Sequence, residues 1–87
     1  MDFKDKVVLV TGGSRGLGRA MAQGFARAGA RVIVASRKLE ACESTVAEIR
    51  EAGGEATAIA AHMGDTGSLD NLVDASYQAY GRVDILI

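Results

Sequence analysis

The 87-residue sequence predicts an α/β fold of three layers, αβα, with helices on both faces of a parallel sheet whose strands run in the order 3-2-1-4. Two apolar runs, Val7-Val8-Leu9-Val10 and Val32-Ile33-Val34-Ala35, show no polar alternation, as expected of strands covered on both faces. After each run the apolar period lengthens to that of a helix, and the strand–helix unit recurs three times. Glycines, eleven in all, mark most of the junctions and proline is absent, although average usage would give about four prolines in such a chain.

The elements follow in order. The first strand is bounded by Lys6 and by Thr11-Gly12, and glycines crowd positions 12–18. Leu17, Ala20, Met21, Gly24, Phe25 and Ala28 then form one helical stripe, which Gly29 is expected to end as a left-handed cap. The second strand leads into the turn Ser36-Arg37-Lys38, and Leu39, Cys42, Val46 and Ile49 make a second stripe that stops at Gly53-Gly54. A third strand over 56–61 is weaker, because alanine has low strand propensity. Asp65 or Ser68 is the expected cap of a third helix with the stripe Leu69, Leu72, Val73, Ser76 and Tyr80, ended by Gly81. A fourth strand is expected over 83–87, where the sequence ends.

Composition narrows the class of protein. At 48% apolar and 24% charged residues, disorder and fibrous repeats are excluded. No apolar run approaches the roughly 20 residues of a membrane span, and the N-terminus lacks the layout of a signal peptide. The single cysteine, Cys42, forms no internal disulfide or cysteine-based zinc cluster, so a reduced, cytoplasmic, soluble chain without metal is expected. The net charge of −1 hides an asymmetry. Residues 1–38 hold eight Lys or Arg against two Asp; residues 39–87 hold two Arg against nine acids. With two Phe and two Tyr there is little material for base stacking, so the basic half points to local phosphate binding rather than to nucleic acid.

Thr11-Gly12-Gly13-Ser14-Arg15-Gly16-Leu17-Gly18 lies between the first strand and the first helix, where open α/β sheets bind phosphates. Gly12 suits a sharp exit from the strand, Gly16 a close backbone approach to a pyrophosphate, and Gly18 tight helix–strand packing. A Walker A loop is excluded because Arg19-Ala20 follows Gly18 where Lys-Ser/Thr is needed. The GxGxxG spacing fails as well: counting from Gly16 it puts Met21 where Gly or Ala belongs.

What remains, Thr-Gly-x3-Gly-x-Gly on three βα units, resembles the short-chain dehydrogenase/reductase family in its TGxxxGxG branch. The resemblance extends from Lys6 through the loop and the Ser36-Arg37-Lys38 turn to the ending Gly81-Arg82-Val83-Asp84-Ile85-Leu86-Ile87. It implies a Rossmann-like fold, truncated here after the fourth strand, with residues 1–87 as the N-terminal part of one NADP(H)-binding domain. It implies a loop that binds the cofactor through Gly12, Ser14, Arg15, Gly16, Leu17 and Gly18.

Sites that prefer NAD place an acid at the end of the second strand, about 20 residues past the loop, to accept from the ribose 2′-OH. Ser36, Arg37 and Lys38 stand there instead, and a guanidinium with a neighbouring ammonium suits a 2′-phosphate. Arg15 is the other basic position that NADP-type relatives carry, so NADP(H) is expected over NAD(H). Where the family has an acid and a β-branched residue after the third strand, this chain has His62 and Met63. His62 is open to adenine contact or to an ordinary loop role, while the Met63 backbone N–H transfers directly from the family pattern. Arg19, Arg27 and Arg31 read as solvated charge, Cys42 as core, Asp84 as a structural acid.

The family's chemistry rests on a Tyr-x3-Lys pair, a serine and an asparagine. Tyr77 is followed four residues on by Gly81, and Tyr80 by Asp84, so no catalytic residue is assigned. The expected function is therefore the cofactor-binding front of an NADP(H)-dependent oxidoreductase that acts on a small-molecule alcohol or ketone. The chain is expected to be inactive alone, and homo-oligomers are expected only of the full-length enzyme. The alternative is a stand-alone, non-catalytic nucleotide-binding module. An apolar fourth strand left as a sheet edge predicts that the isolated 87-mer is marginal or prone to aggregation.

Overall fold

A computed structural model describes residues 3–12, 16–61 and 66–87, with backbone only over 66–69. The elements alternate as β1 (Val7–Thr11), α1 (Gly16–Arg27), β2 (Arg31–Ser36), α2 (Leu39–Glu51), β3 (Glu55–Ala60), α3 (Thr66–Tyr80) and β4 (Ile85–Leu86). All pairings are parallel and the sheet order is β3-β2-β1-β4, as the sequence predicts. The register sets Val8 beside Val32 and Ile85, and Val32 beside Ala56.

The unbroken apolar runs have a direct explanation in the two cores. Val8, Val10, Val32 and Val34 face α1 and α2, where they pack with Ala22, Cys42, Val46 and Ile49. The intervening residues Val7, Leu9, Ile33 and Ala35 face α3 and meet Leu72. Adjacent strand residues point to opposite faces, so a sheet covered twice needs apolar side chains at every position. Each fully buried Val, Leu or Ile stabilises the fold by about 1.5–3 kcal/mol relative to exposure.

The helix stripes need correction. In α1, Leu17 and Ala20 are exposed, and the buried position is Ala22, with Phe25 and Ala26 packed beside it. Gly18, Ala22 and Ala26 form a row of small residues at i, i+4 and i+8, which lets α1 lie close to the sheet; periodicity weighted by side-chain size overlooks such a row. Phe25 meets Phe3 edge-on, with centroids 5.1 Å apart. In α2, Cys42, Val46 and Ile49 are buried as expected, but Leu39 in the first turn is largely exposed. In α3, Leu72 and Ser76 are buried while Val73 faces solvent. Ser76 satisfies its hydroxyl by donating to the Leu72 carbonyl at 2.7 Å.

Boundaries shift for identifiable reasons. β3 runs over 55–60 rather than 56–61, although the Ala61 N–H still donates to the Ser36 carbonyl at 2.8 Å. Ser68 lies within α3 and does not cap it, and Asp65 is outside the described residues. β4 is shorter than the expected 83–87, because the Asp84 carboxylate takes the Val7 N–H that a longer ladder would give to a main-chain carbonyl. The turns after α1, α2 and α3 fall at Gly29, Gly53 and Gly81, as predicted.

Two arginines expected to be merely solvated tie elements together. Arg19 of α1 pairs with Glu48 of α2, which also accepts from Gln23 at 3.3 Å. Arg31 of β2 lies 3.4 Å from Glu55 of β3 and 6.0 Å from the Tyr80 ring centroid, while the Tyr80 hydroxyl meets Thr57 Oγ1 at 2.9 Å. These partly exposed pairs are each worth about 1 kcal/mol or less.

Candidate functional site

The crossovers leaving β1 and entering β4 run to opposite sides of the sheet, so the carboxyl ends of these two strands border the switch point where open α/β sheets bind ligands. That border is fastened. The Thr11 backbone N–H and the Thr11 Oγ1 both donate to the Ile87 carbonyl, at 3.0 and 2.8 Å. The Gly12 N–H donates to the Ala35 carbonyl at 2.7 Å, which ties the exit of β1 to β2 on its other side. Thr11 is thus a positioning residue, a task that its place in the Thr-Gly motif does not reveal.

Gly12 has φ +70° and Gly16, the first residue of α1, has φ +61°. Among the described residues a Cβ on either would meet nothing within 4 Å, so it is the positive φ that favours glycine there. Gly18 is half-buried in the small-residue row of α1. Leu17, in the first turn of α1, is a large apolar side chain that is 77% exposed. Ser14 and Arg15 lie outside the described residues, as do His62 and Met63.

At the end of β2, Ser36 is half-buried while Arg37 and Lys38 are exposed and form no ion pair among the described residues. The Ser36 hydroxyl is engaged within its own turn, 3.3 Å from both the N–H and the carbonyl of Lys38, and 3.0 Å from Cys42 Sγ. Lys38 is the N-cap residue of α2, with φ −108°, and its side chain makes no capping hydrogen bond. The positive end of α2 and two cations thus stand together. The first turn of α2 carries one acid, Glu40, which is exposed.

These features fit a dinucleotide. A helix start led by glycine suits a diphosphate, the exposed Leu17 suits an apolar ring or ribose face, and the cation pair at β2 suits a further phosphate. The groove between α1 and α2 lined by Gln23, Arg27, Glu48 and Gly53, of about 410 Å³, lies at the opposite end of the sheet, near the helix C-termini. No group of three or more His, Cys, Asp or Glu side chains gathers among the described residues, and no helix there is long and apolar enough to cross a membrane.

The remaining candidates take structural places. Cys42 is buried in the core beneath α2. Tyr77 is exposed and Tyr80 is held by Thr57. Asp84 Oδ2 accepts from the Val7 N–H at 2.8 Å, and its Oδ1 accepts from Arg82 Nη2 at 2.6 Å. Its carboxyl is held below the ordinary range, first by the Val7 N–H and then by the Arg82 guanidinium.

Comparison with known proteins agrees with this geometry. The sequence signature of the family described as short chain dehydrogenase matches residues 6–87. The sorbitol dehydrogenase of Cereibacter sphaeroides is 42% identical over 87 residues, covering all of this chain and 33% of the relative. The crystal structure of a hydroxysteroid dehydrogenase from Escherichia coli superposes with a TM-score of 0.96 at 34% identity, over 98% of this chain and 36% of that one. A metagenomic short-chain oxidoreductase solved in complex with NADP gives a TM-score of 0.91 at 35% identity, over 95% of this chain and 38% of that one. The chain spans about a third of the length of the curated relatives it matches. With its signature matched over residues 6–87 and its sheet in the order β3-β2-β1-β4, the chain belongs to the short-chain dehydrogenase family.

Proposed function

We propose that residues 1–87 form the N-terminal, cofactor-binding part of a single Rossmann-like domain in an NADP(H)-dependent oxidoreductase of a small-molecule alcohol or ketone. One observation carries the cofactor choice. Arg37 and Lys38 stand exposed and without an ion pair among the described residues at the end of β2, beside the start of α2, and no acid occupies 36–38. A carboxylate there would accept from a ribose 2′-OH and repel a 2′-phosphate; the guanidinium and ammonium do the reverse. A similar structure was solved in complex with NADP, which supports the reading.

In this reading the backbone N–H groups that follow Gly12, up to Gly18, hold the diphosphate with Ser14, helped by the dipole of α1, and Arg15 adds a charge that favours the 2′-phosphate. Leu17 covers an apolar face of the cofactor. Arg37 forks onto the 2′-phosphate and Lys38 adds a second charge. His62 and the Met63 N–H border the adenine. The bound nicotinamide supplies or accepts a hydride at its ring, and no residue of this chain is assigned to the accompanying proton transfer. The test is calorimetric titration of the intact protein with NADPH and with NADH. NADPH is expected to bind at least about tenfold more tightly, the worth of one charge-assisted hydrogen bond; equal affinities would overturn the assignment.

A further inference from the structure

One hydroxyl holds the turn between β2 and α2. Ser36 Oγ donates to the Lys38 carbonyl at 3.3 Å, accepts from the Lys38 N–H at 3.3 Å, and lies 3.0 Å from Cys42 Sγ. A serine hydroxyl has one proton and two lone pairs. With the proton on the Lys38 carbonyl and one lone pair on the Lys38 N–H, the second lone pair takes the Cys42 thiol proton. The hydroxyl has no remaining capacity for a phosphate oxygen. Its main chain is fixed as well, because the Ser36 carbonyl accepts from the Ala61 N–H at 2.8 Å. Cys42 is fully buried among Val34, Val46 and their neighbours, so the thiol is an anchor set in the core. Arg37 sits between the two residues that this hydroxyl connects, and its own side chain has no ion pair among the described residues.

We propose that Ser36 is a positioning residue for 2′-phosphate recognition and not a ligand of the phosphate: its hydroxyl, anchored on Cys42, closes the turn onto Lys38 and so aims Arg37 and Lys38. The inference rests on the NADP(H) reading above and assigns Ser36 a different task within it. A turn closed before the cofactor arrives spares binding the entropy of ordering two long cationic side chains on a loose backbone.

The test is a coupling measurement in the intact protein, with NADPH and NADH as titrants. Ser36→Ala is expected to weaken NADPH about three- to tenfold, the range of one hydrogen bond, and to leave NADH within about twofold. Ser36→Thr, which keeps the hydroxyl, is expected to restore NADPH binding. In a background carrying Arg37→Ala and Lys38→Ala, the Ser36→Ala step is expected to fall within about twofold, because its effect passes through the two cations. A hydroxyl bonded directly to the phosphate would keep its full three- to tenfold cost in that background, and this result would overturn the inference. A cofactor-free readout accompanies it: amide hydrogen exchange at Lys38 is expected to quicken severalfold in Ser36→Ala and to return in Ser36→Thr. Unchanged exchange would equally overturn it. Failure of the NADP(H) reading is distinguishable, since it would appear as equal NADPH and NADH affinities in the unsubstituted protein.

Discussion

Asp84 and Val7, 77 positions apart, exchange two hydrogen bonds: the Val7 N–H donates to Asp84 Oδ2 at 2.8 Å, and the Asp84 N–H donates to the Val7 carbonyl at 2.9 Å. The pair docks the start of β4 on the start of β1 and sets the register that follows. Two residues later Leu9 lies beside Leu86, and at the far end the Ile87 carbonyl receives both donors of Thr11. A side chain at the amino end of the strands thereby fixes the geometry at their carboxyl end, where the cofactor is proposed to bind.

The Asp84 carboxyl is held below the usual carboxylate range, so its charged form stabilises the folded chain at pH values above about 3.9, the ordinary value, and that contribution fades as pH falls through the lower folded value. Asp84→Asn removes the charge and keeps the shape. Thermal unfolding is expected to show a lower Tm for the variant at pH 7 and a gap that narrows as pH falls below the ordinary carboxylate range. A gap independent of pH would contradict the role given to the carboxylate.

Gly53 and Gly54 are adjacent but needed for different reasons. A Cβ on Gly54 would lie 2.8 Å from Ile49 Cγ2 and 3.2 Å from the Ile49 carbonyl oxygen, whereas Gly53, at φ +91°, has nothing within 4 Å. Urea denaturation is expected to show Gly54→Ala destabilised by about 1–3 kcal/mol through overpacking. Gly53→Asn, a residue that tolerates the left-handed region, is expected to cost less than about 1 kcal/mol. The opposite ranking would refute the steric argument.

Strands and sheet order were legible because the determinants are local and repeated: unbroken β-branched runs, glycine stops and short connections leave one parallel topology. The buried face of α1 is not legible as an apolar stripe because Ala22 and Ala26 are small, and close helix–sheet approach rewards smallness that such a stripe does not register. The Asp84–Val7 exchange and the Ser36–Cys42 contact were invisible for a different reason. Each depends on how the folded chain brings an acid, a hydroxyl or a thiol beside one particular main-chain group or side chain, and no residue spacing encodes that. The glycine loop was readable as a motif, and the structure adds that Gly12 and Gly16 adopt positive φ.

Arg37→Ala removes the guanidinium proposed to fork onto the 2′-phosphate. Titration is expected to show NADPH weakened about 10- to 100-fold and NADH changed by no more than about twofold, in line with a charge-assisted pair. Equal losses for both cofactors would assign Arg37 to the turn's structure and not to the phosphate.

The 87-residue chain expressed alone presents Leu86 at 68% exposure, with Val73 and Tyr77, at 47% and 52%, on the outer side of α3. Sedimentation velocity is expected to show concentration-dependent association, reduced by Leu86→Lys, since a charge on a strand edge discourages pairing. A monodisperse monomer with a cooperative thermal transition would contradict this.

The 2′-phosphate itself gives the most direct evidence. Phosphorus-31 NMR of NADP+ titrated with the intact protein follows that group alone. With Arg37 and Lys38 beside it, its second ionisation, near pH 6 for a free phosphomonoester, is expected to move to lower pH on binding, and the shift is expected to vanish in Arg37→Ala with Lys38→Ala. A bound cofactor whose 2′-phosphate titrates as it does in free solution would contradict the assignment of this turn to NADP(H).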